Sequence, residues 1–308
     1  MRAKKRLKFW QFLLITLGSA VVLILLTFLA LSLSGFRYAT YNTSELGQVR
    51  FIGRVDRGGE ILSGKFYYSD ALNAKVVSYN EKLTFKNGGT VSSGRLYKLE
   101  YSNGDTYIGQ LEGCLRHGEG RIAFSGGDIY EGSFSYDEIE GKGFYYFLSG
   151  DIYEGSFSRG KKWGEGKYTW APDSAGRSDI YEGQYAEDMR NGTGRYTWAD
   201  GSVYEGSYVD DAKQGQGKMT FATGDTYEGQ YLEDMRTGKG VYKWADGESY
   251  EGDFLKGEIT GQGTYYWTSG SNRLSYEGFF EKGKIVFVEE DTEAEAPEGS
   301  GADEKTET

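Results

Sequence analysis

Cys114 and His117, the only cysteine and the only histidine, stand three residues apart and are the first pair to test for chemistry. A thiol beside an imidazole could be a nucleophile with its base, or half of a metal site. Zinc takes four ligands from Cys, His or carboxylate, and a Cys–His nucleophile needs an orienting third group and a stabilised oxyanion. The sequence holds no second cluster to supply either, so the pair reads as an ordinary surface turn. A glutamate also recurs directly after a tyrosine, at Glu131, Glu154, Glu182, Glu205, Glu228, Glu251 and Glu277. Paired carboxylates act as acid and base at short separations, but these fall two strands apart, roughly 9–10 Å. Seven equivalent positions do not make one active site. Cross-strand pairing with basic residues such as Lys142, Lys167 and Arg195 accounts for them. No catalytic, cofactor or metal residue is assigned, and the chain reads as a non-enzyme.

These glutamates belong to a 23-residue unit, clearest in Tyr181–Gly247, and a fixed period of this size marks a repeat architecture. Tyr204-Glu205-Gly206-Ser207-Tyr208 and Gly194-Arg195-Tyr196-Thr197-Trp198 alternate as half-buried strands do. Ala199–Ser202 and Asp210–Gly215 read as the turns of hairpins. The glycines Gly183, Gly192, Gly194, Gly206, Gly215, Gly217, Gly229, Gly238 and Gly240 are structural. The expected register sets Trp198 against Tyr204, Tyr196 against Gly206 and Gly194 against Tyr208, with each ring over a residue lacking a side chain.

The pattern Y-E-G-x-[FY]…G-x-G-x-[FY]-x-W resembles the MORN (membrane occupation and recognition nexus) repeat. It begins at Tyr130, Tyr153, Tyr181, Tyr204, Tyr227, Tyr250 and Tyr276, and at Tyr107 with Ile108 in place of Glu. The resemblance covers residues 107–287 and implies an elongated single-layer antiparallel sheet of stacked β-hairpins, used as a scaffold or binding surface. Residues 51–106 read as degenerate, capping repeats, because Phe51, Tyr79 and Tyr107 stand 28 residues apart.

Ahead of the repeats, residues 1–8 carry five basic residues, and Phe9–Phe36 carries no charge. That run is long enough to span about 30 Å of hydrocarbon, so 9–36 is expected to be one transmembrane signal-anchor helix. The basic flank should stay cytoplasmic and the repeats extracytoplasmic. A cleaved signal peptide is the rival reading. Residues 37–50 read as a juxtamembrane linker, and 289–308, with nine acidic residues and one Lys, as an acidic disordered tail. The net charge of −11 divides into +5 over residues 1–8, −8 over 9–288 and −8 over the tail. Such a balance excludes nucleic acid and disfavours anionic lipid heads; the basic spot Arg159–Lys162 reads as a solvated turn. A single cysteine forbids an intramolecular disulfide, which suits a bacterial cell-surface protein.

A single-layer sheet has no second layer to cover its aromatic face. Trp170, Trp198, Tyr208, Phe221 and Trp244 are therefore the candidate contacts for an extended partner. The expected role is a membrane-anchored, non-catalytic scaffold for a protein partner. Three alternatives stand beside it: an aromatic-groove binder of cell-wall glycan, a cytoplasmic membrane-tethered signalling scaffold with reversed topology, and a wall hydrolase or transferase that lacks a visible catalytic set.

Overall fold

A computed structural model describes residues 9–43, 47–69, 71–91 and 93–286, with side chains from residue 21 on. The basic segment 1–8 and the acidic tract 289–308 lie outside the described residues. The chain divides into two units, Met1–Ala212 and Lys213–Thr308.

The first unit opens with α1 (Phe9–Leu33), then β1 (Phe36–Thr43), β2 (Gly47–Val55), β3 (Ile61–Tyr67), β4 (Asn73–Tyr79) and β5 (Leu96–Tyr101). The repeats follow as β6 (Thr106–Glu112), β7 (Leu115–Ala123), β8 (Ile129–Ser135), β9 (Glu138–Tyr146), β10 (Ile152–Ser158) and β11 (Lys161–Thr169). The unit closes with β12 (Ile180–Ala186), β13 (Met189–Thr197) and β14 (Val203–Val209). Each of these strands pairs antiparallel with the next in sequence. The second unit holds β15 (Ala212–Thr220), β16 (Thr226–Leu232), β17 (Met235–Lys243), β18 (Ser249–Leu255), β19 (Glu258–Ser269), β20 (Asn272–Glu281) and β21 (Lys284–Val286), paired in the same way. Each unit is thus an antiparallel sheet of stacked hairpins, as the repeat implies.

Among the described residues no helix is long and apolar enough to cross a membrane. The part of α1 with described side chains, 21–33, covers about 20 Å at 1.5 Å per residue, against the ~30 Å of a hydrocarbon core. The transmembrane helix expected over 9–36 is therefore not supported by the described residues. The expected linker 37–50 is also corrected. After a turn at Ser34–Gly35 the chain enters β1, which pairs from Phe36↔Arg54 to Thr43↔Gly47 and so satisfies the free edge of β2.

Two local devices recur in the tight hairpins of the repeats. Between β8 and β9, Tyr136 and Asp137 have φ of 46° and 76°; Glu187–Asp188 and Asp210–Asp211 repeat this. Two consecutive positive φ values make two-residue type I′ turns, whose twist matches that of the strands. The turn expected over Asp210–Gly215 is accordingly only Asp210–Asp211. The second device is a bulge after the +2 glycine, seen between Gly183 and Tyr185, with Gly192 opposite at φ 103°.

The register differs from the expected one by two residues. Tyr196 faces Tyr204, Gly194 faces Gly206 and Gly192 faces Tyr208. The cause is the loop: Trp198 N–H donates to Ser202 O at 2.9 Å and Ser202 N–H to Asp200 Oδ1 at 2.8 Å, so Trp198 closes the turn instead of pairing with Tyr204. An even shift keeps the rings on the same face of the sheet.

Candidate functional site

Tyr107, Tyr130, Tyr153, Tyr181, Tyr204, Tyr227 and Tyr250, the first residues of the regular repeats, are fully buried. The rings of Tyr107, Tyr130, Tyr153, Tyr181, Tyr227 and Tyr250 lie over the glycine two residues on and that glycine's partner on the next strand. A Cβ at Gly155 would stand 2.5 Å from Tyr153 Oη and 2.7 Å from Gly166 Cα. The hydroxyl donates to a carbonyl three residues on, as Tyr130 does to Ser133 O at 2.9 Å and Tyr227 to Gln230 O at 3.0 Å. The aromatic at +4 stands edge-on: Tyr181 meets Tyr185 and Tyr208 at 5.2 and 5.3 Å. Tyr208, an expected contact residue, belongs to this row and is 2% exposed, so it packs and offers no platform. Phe51 covers the Gly53–Gly64 pair in the same way.

Above this row lie cations that periodicity alone did not reveal. Lys162 Nζ is 5.8, 5.1 and 5.3 Å from the ring centroids of Tyr153, Tyr168 and Tyr185. Arg190 lies 5.7, 5.6 and 5.0 Å from Tyr181, Tyr196 and Tyr208, and Arg236 is boxed likewise by Tyr227, Tyr242 and Phe254. Arg190 Nε donates to Asp211 Oδ1 at 2.9 Å, and Arg116 Nε to Asp137 Oδ1 at 3.0 Å. Burial lowers the pKa of the Lys162 ammonium. Lys162, expected as part of a solvated turn, is instead drawn over the rings. The signal was a basic residue at +9 answered by an acid about one repeat later, at Arg116/Asp137 and Arg190/Asp211. The aromatic face is therefore in large part closed by the protein's own side chains.

What remains open at the loop edge is the half-buried Trp170, Trp198, Phe221 and Trp244, packed on tyrosines of which Tyr196 is buried. In the first unit Trp170 lies 4.6 Å from Tyr168 and 5.2 Å from Tyr196, and Tyr196 lies 4.5 Å from Trp198. In the second unit Phe221 and Trp244 flank Tyr242 at 6.1 and 4.8 Å, and Trp244 meets Tyr265 at 5.6 Å. Four of the five expected contacts thus belong to this edge. It is held by aspartates the sequence reading passed over. Asp179 accepts from Tyr196 Oη at 2.7 Å and Ala199 N–H at 2.8 Å; Asp225 accepts from Tyr242 Oη at 2.8 Å and Ala245 N–H at 2.9 Å. The Ala245 N–H and then the Tyr242 hydroxyl hold the Asp225 carboxyl below its ordinary pKa.

The opposite face carries the glutamates. Lys167 pairs with Glu182 at 3.1 Å and Arg195 with Glu205 at 3.0 Å, whereas Lys142 faces Ser156 and pairs with no glutamate of the ladder. Glu131 departs from its six counterparts by being fully buried. The segment between β4 and β5 folds over it: Lys86 N–H donates to its Oε2 at 2.8 Å, Lys86 Nζ lies 4.4 Å over the Tyr146 ring, and Arg121 Nε is 3.5 Å from Oε1. In the second unit this face forms a groove of about 1380 Å³ lined by Glu228, Glu251, Glu277, Lys218, Lys239 and Lys243 among others.

Cys114 lies in the β6–β7 turn, as expected, but its side chain is 2% exposed, and burial pushes its thiol up to about 11. His117 instead approaches Glu112, Nε2 to Oε2 3.6 Å, and its ring lies 4.9 Å from Tyr136. Among the described residues no group of three or more His, Cys, Asp or Glu is arranged to hold a metal ion.

The family model of the MORN repeat matches at 130–152, 153–174, 181–203, 204–226, 227–249 and 250–272. The chain carries six MORN repeats. No curated protein matches it. Among solved structures, one similar chain is the TCP domain of SAS-4 (dCPAP) in complex with a proline-rich motif of Ana2 (dSTIL) of Drosophila melanogaster. It is 14% identical, with a TM-score of 0.31, over 55% of this chain and 86% of that one.

Proposed function

We propose that this chain is a non-catalytic scaffold, tethered to a membrane by the uncharged run 9–36, that offers its MORN repeats to a protein partner on the extracytoplasmic side. The tether rests on five basic residues followed by a charge-free Phe9–Phe36. The observation that carries the binding reading is the half-buried pair Trp170 and Trp198, packed on Tyr168 and the buried Tyr196. The two indoles have fixed neighbours, while the tyrosines beside them, Tyr168 and Tyr196, are covered by Lys162 and Arg190. Rigid aromatics of this kind contribute contact area at low entropic cost. The equivalence of the repeated glutamates and tyrosines speaks against one special reacting pair.

The test is an affinity pull-down from detergent-solubilised cells with the tagged full-length chain and a Trp198→Ala, Trp244→Ala variant. Retention of a protein by wild type, and its loss in the still-folded variant, supports the reading. Retention of wall polymer and no protein displaces it in favour of a glycan binder.

A further inference from the structure

In the repeats opening at Tyr153, Tyr181 and Tyr227, one phenol has a fixed set of companions. Tyr168, Tyr196 and Tyr242, at +15, each donate their hydroxyl to the aspartate two residues before the opening tyrosine, at 2.8, 2.7 and 2.8 Å. Each also lies beside the +9 cation, at 5.1, 5.6 and 5.2 Å. The repeat opening at Tyr107 keeps the aspartate as Asp105 and the cation as Arg116, but +15 is Ile122. Ile122 occupies the same register position, facing Tyr107 and Tyr130 as Tyr196 faces Tyr181 and Tyr204. At this place, and lined by Asp105, Arg116, Ile122, Tyr68, Leu72, Tyr101 and Asp137, lies a cavity of about 160 Å³.

We infer that this cavity binds a phenolic ring, set beside Arg116 with its hydroxyl donating to Asp105, as the +15 tyrosines do elsewhere in the chain. The size fits: a protein cavity of about 150 Å³ accepts benzene. The polar lining fits as well. The Tyr68 hydroxyl is buried, with only the Tyr101 hydroxyl beside it, and Tyr68 as a whole is 7% exposed, so a ligand hydroxyl adds a partner there. Asp105 accepts Ser125 N–H on Oδ1 and Asn103 Nδ2 on Oδ2, both at 2.8 Å, which leaves a lone pair on each oxygen. Arg116 is fixed by Asp137, through Nε to Oδ1 at 3.0 Å and Nη2 to the Asp137 carbonyl at 2.5 Å, and so faces the cavity preorganised.

Calorimetric titration of the full-length protein with p-cresol and with toluene tests this. Saturable p-cresol binding is expected, with toluene weaker by about tenfold, since toluene cannot donate the hydrogen bond to Asp105. Ile122→Tyr fills the cavity with the chain's own ring; with a thermal midpoint at or above wild type, it should no longer bind p-cresol. Asp105→Ala should cost p-cresol about tenfold while leaving toluene unchanged. The proposal is overturned if p-cresol shows no saturation, if it matches toluene, or if a folded Ile122→Tyr still binds it. A blocked Gly-Tyr-Gly peptide separates the sources. Binding of both probes assigns the site to a tyrosine side chain of a partner, and binding of p-cresol alone assigns it to a small phenol.

Discussion

Adding a methyl group at Gly166 would bring it within 2.6 Å of Tyr153 Cε2. Tyr153 cannot retreat, because its ring is fully buried and its hydroxyl is tied to Ser156 O at 3.0 Å. Gly166→Ala should therefore destabilise the fold by about 2 kcal/mol through overpacking. The next residue gives the contrast: Lys167 points to the other face and makes a solvent-exposed pair with Glu182 at 3.1 Å. Lys167→Ala should cost about 0.5 kcal/mol or less. Urea denaturation of both variants reads the difference, and equal losses would show that the ring-over-glycine contact is not the element that limits substitution. The same reasoning identifies which aromatic residues can meet a partner. Tyr208 is locked edge-on between Tyr181 and Tyr204, at 5.3 Å from each, whereas Trp170 and Trp244 are only half-buried.

At the scale of the hairpin, the opening tyrosines are titratable groups removed from water. Burial raises the phenols of Tyr181, Tyr227 and Tyr250 to about 12, from an ordinary value of 10.0. A folded pKa raised above the unfolded one means that the stability is fully present below about pH 10 and is lost as pH rises from 10 through 12. Tyrosinate absorbance in the native protein should accordingly lag that of the guanidinium-unfolded chain and rise together with loss of the β-sheet circular dichroism signal. Phenols that titrate near 10 with the sheet intact would contradict the buried row. The strands and their faces were legible in the sequence because alternation and glycine placement state them directly. The register was not, because it depends on a loop closed by Trp198 N–H to Ser202 O, and a loop's length is not written in the strand it joins. The +9 cations were hidden for a similar reason: Arg190 finds Asp211 in the type I′ turn that follows β14, 21 residues away.

Over the whole chain, redundancy made the six repeats of 130–272 plain, while singular features stayed out of reach. The segment that buries Glu131 reaches it from Lys86, 45 residues earlier, and no period announces such a contact. Charge is the whole-molecule property that bears on where the protein sits. Residues 9–288 carry −8 and 289–308 another −8, and many of the exposed cations, such as Lys167, Arg195 and Lys239, already have a carboxylate partner within 3.1 Å. A surface of this kind gains nothing from an anionic bilayer, since that attraction is contributed by unpaired Lys and Arg near the headgroups. If the uncharged run 9–36 is the tether, the full-length chain should stay with the membrane fraction after an alkaline carbonate wash. The chain shortened to residues 37–308 should fail to sediment with phosphatidylserine vesicles even at low salt, where surface electrostatics are least screened. Sedimentation of the shortened chain that weakens with added salt would mean that the repeats recognise lipid heads themselves, and the partner sought through Trp198 and Trp244 would then have to be a membrane surface.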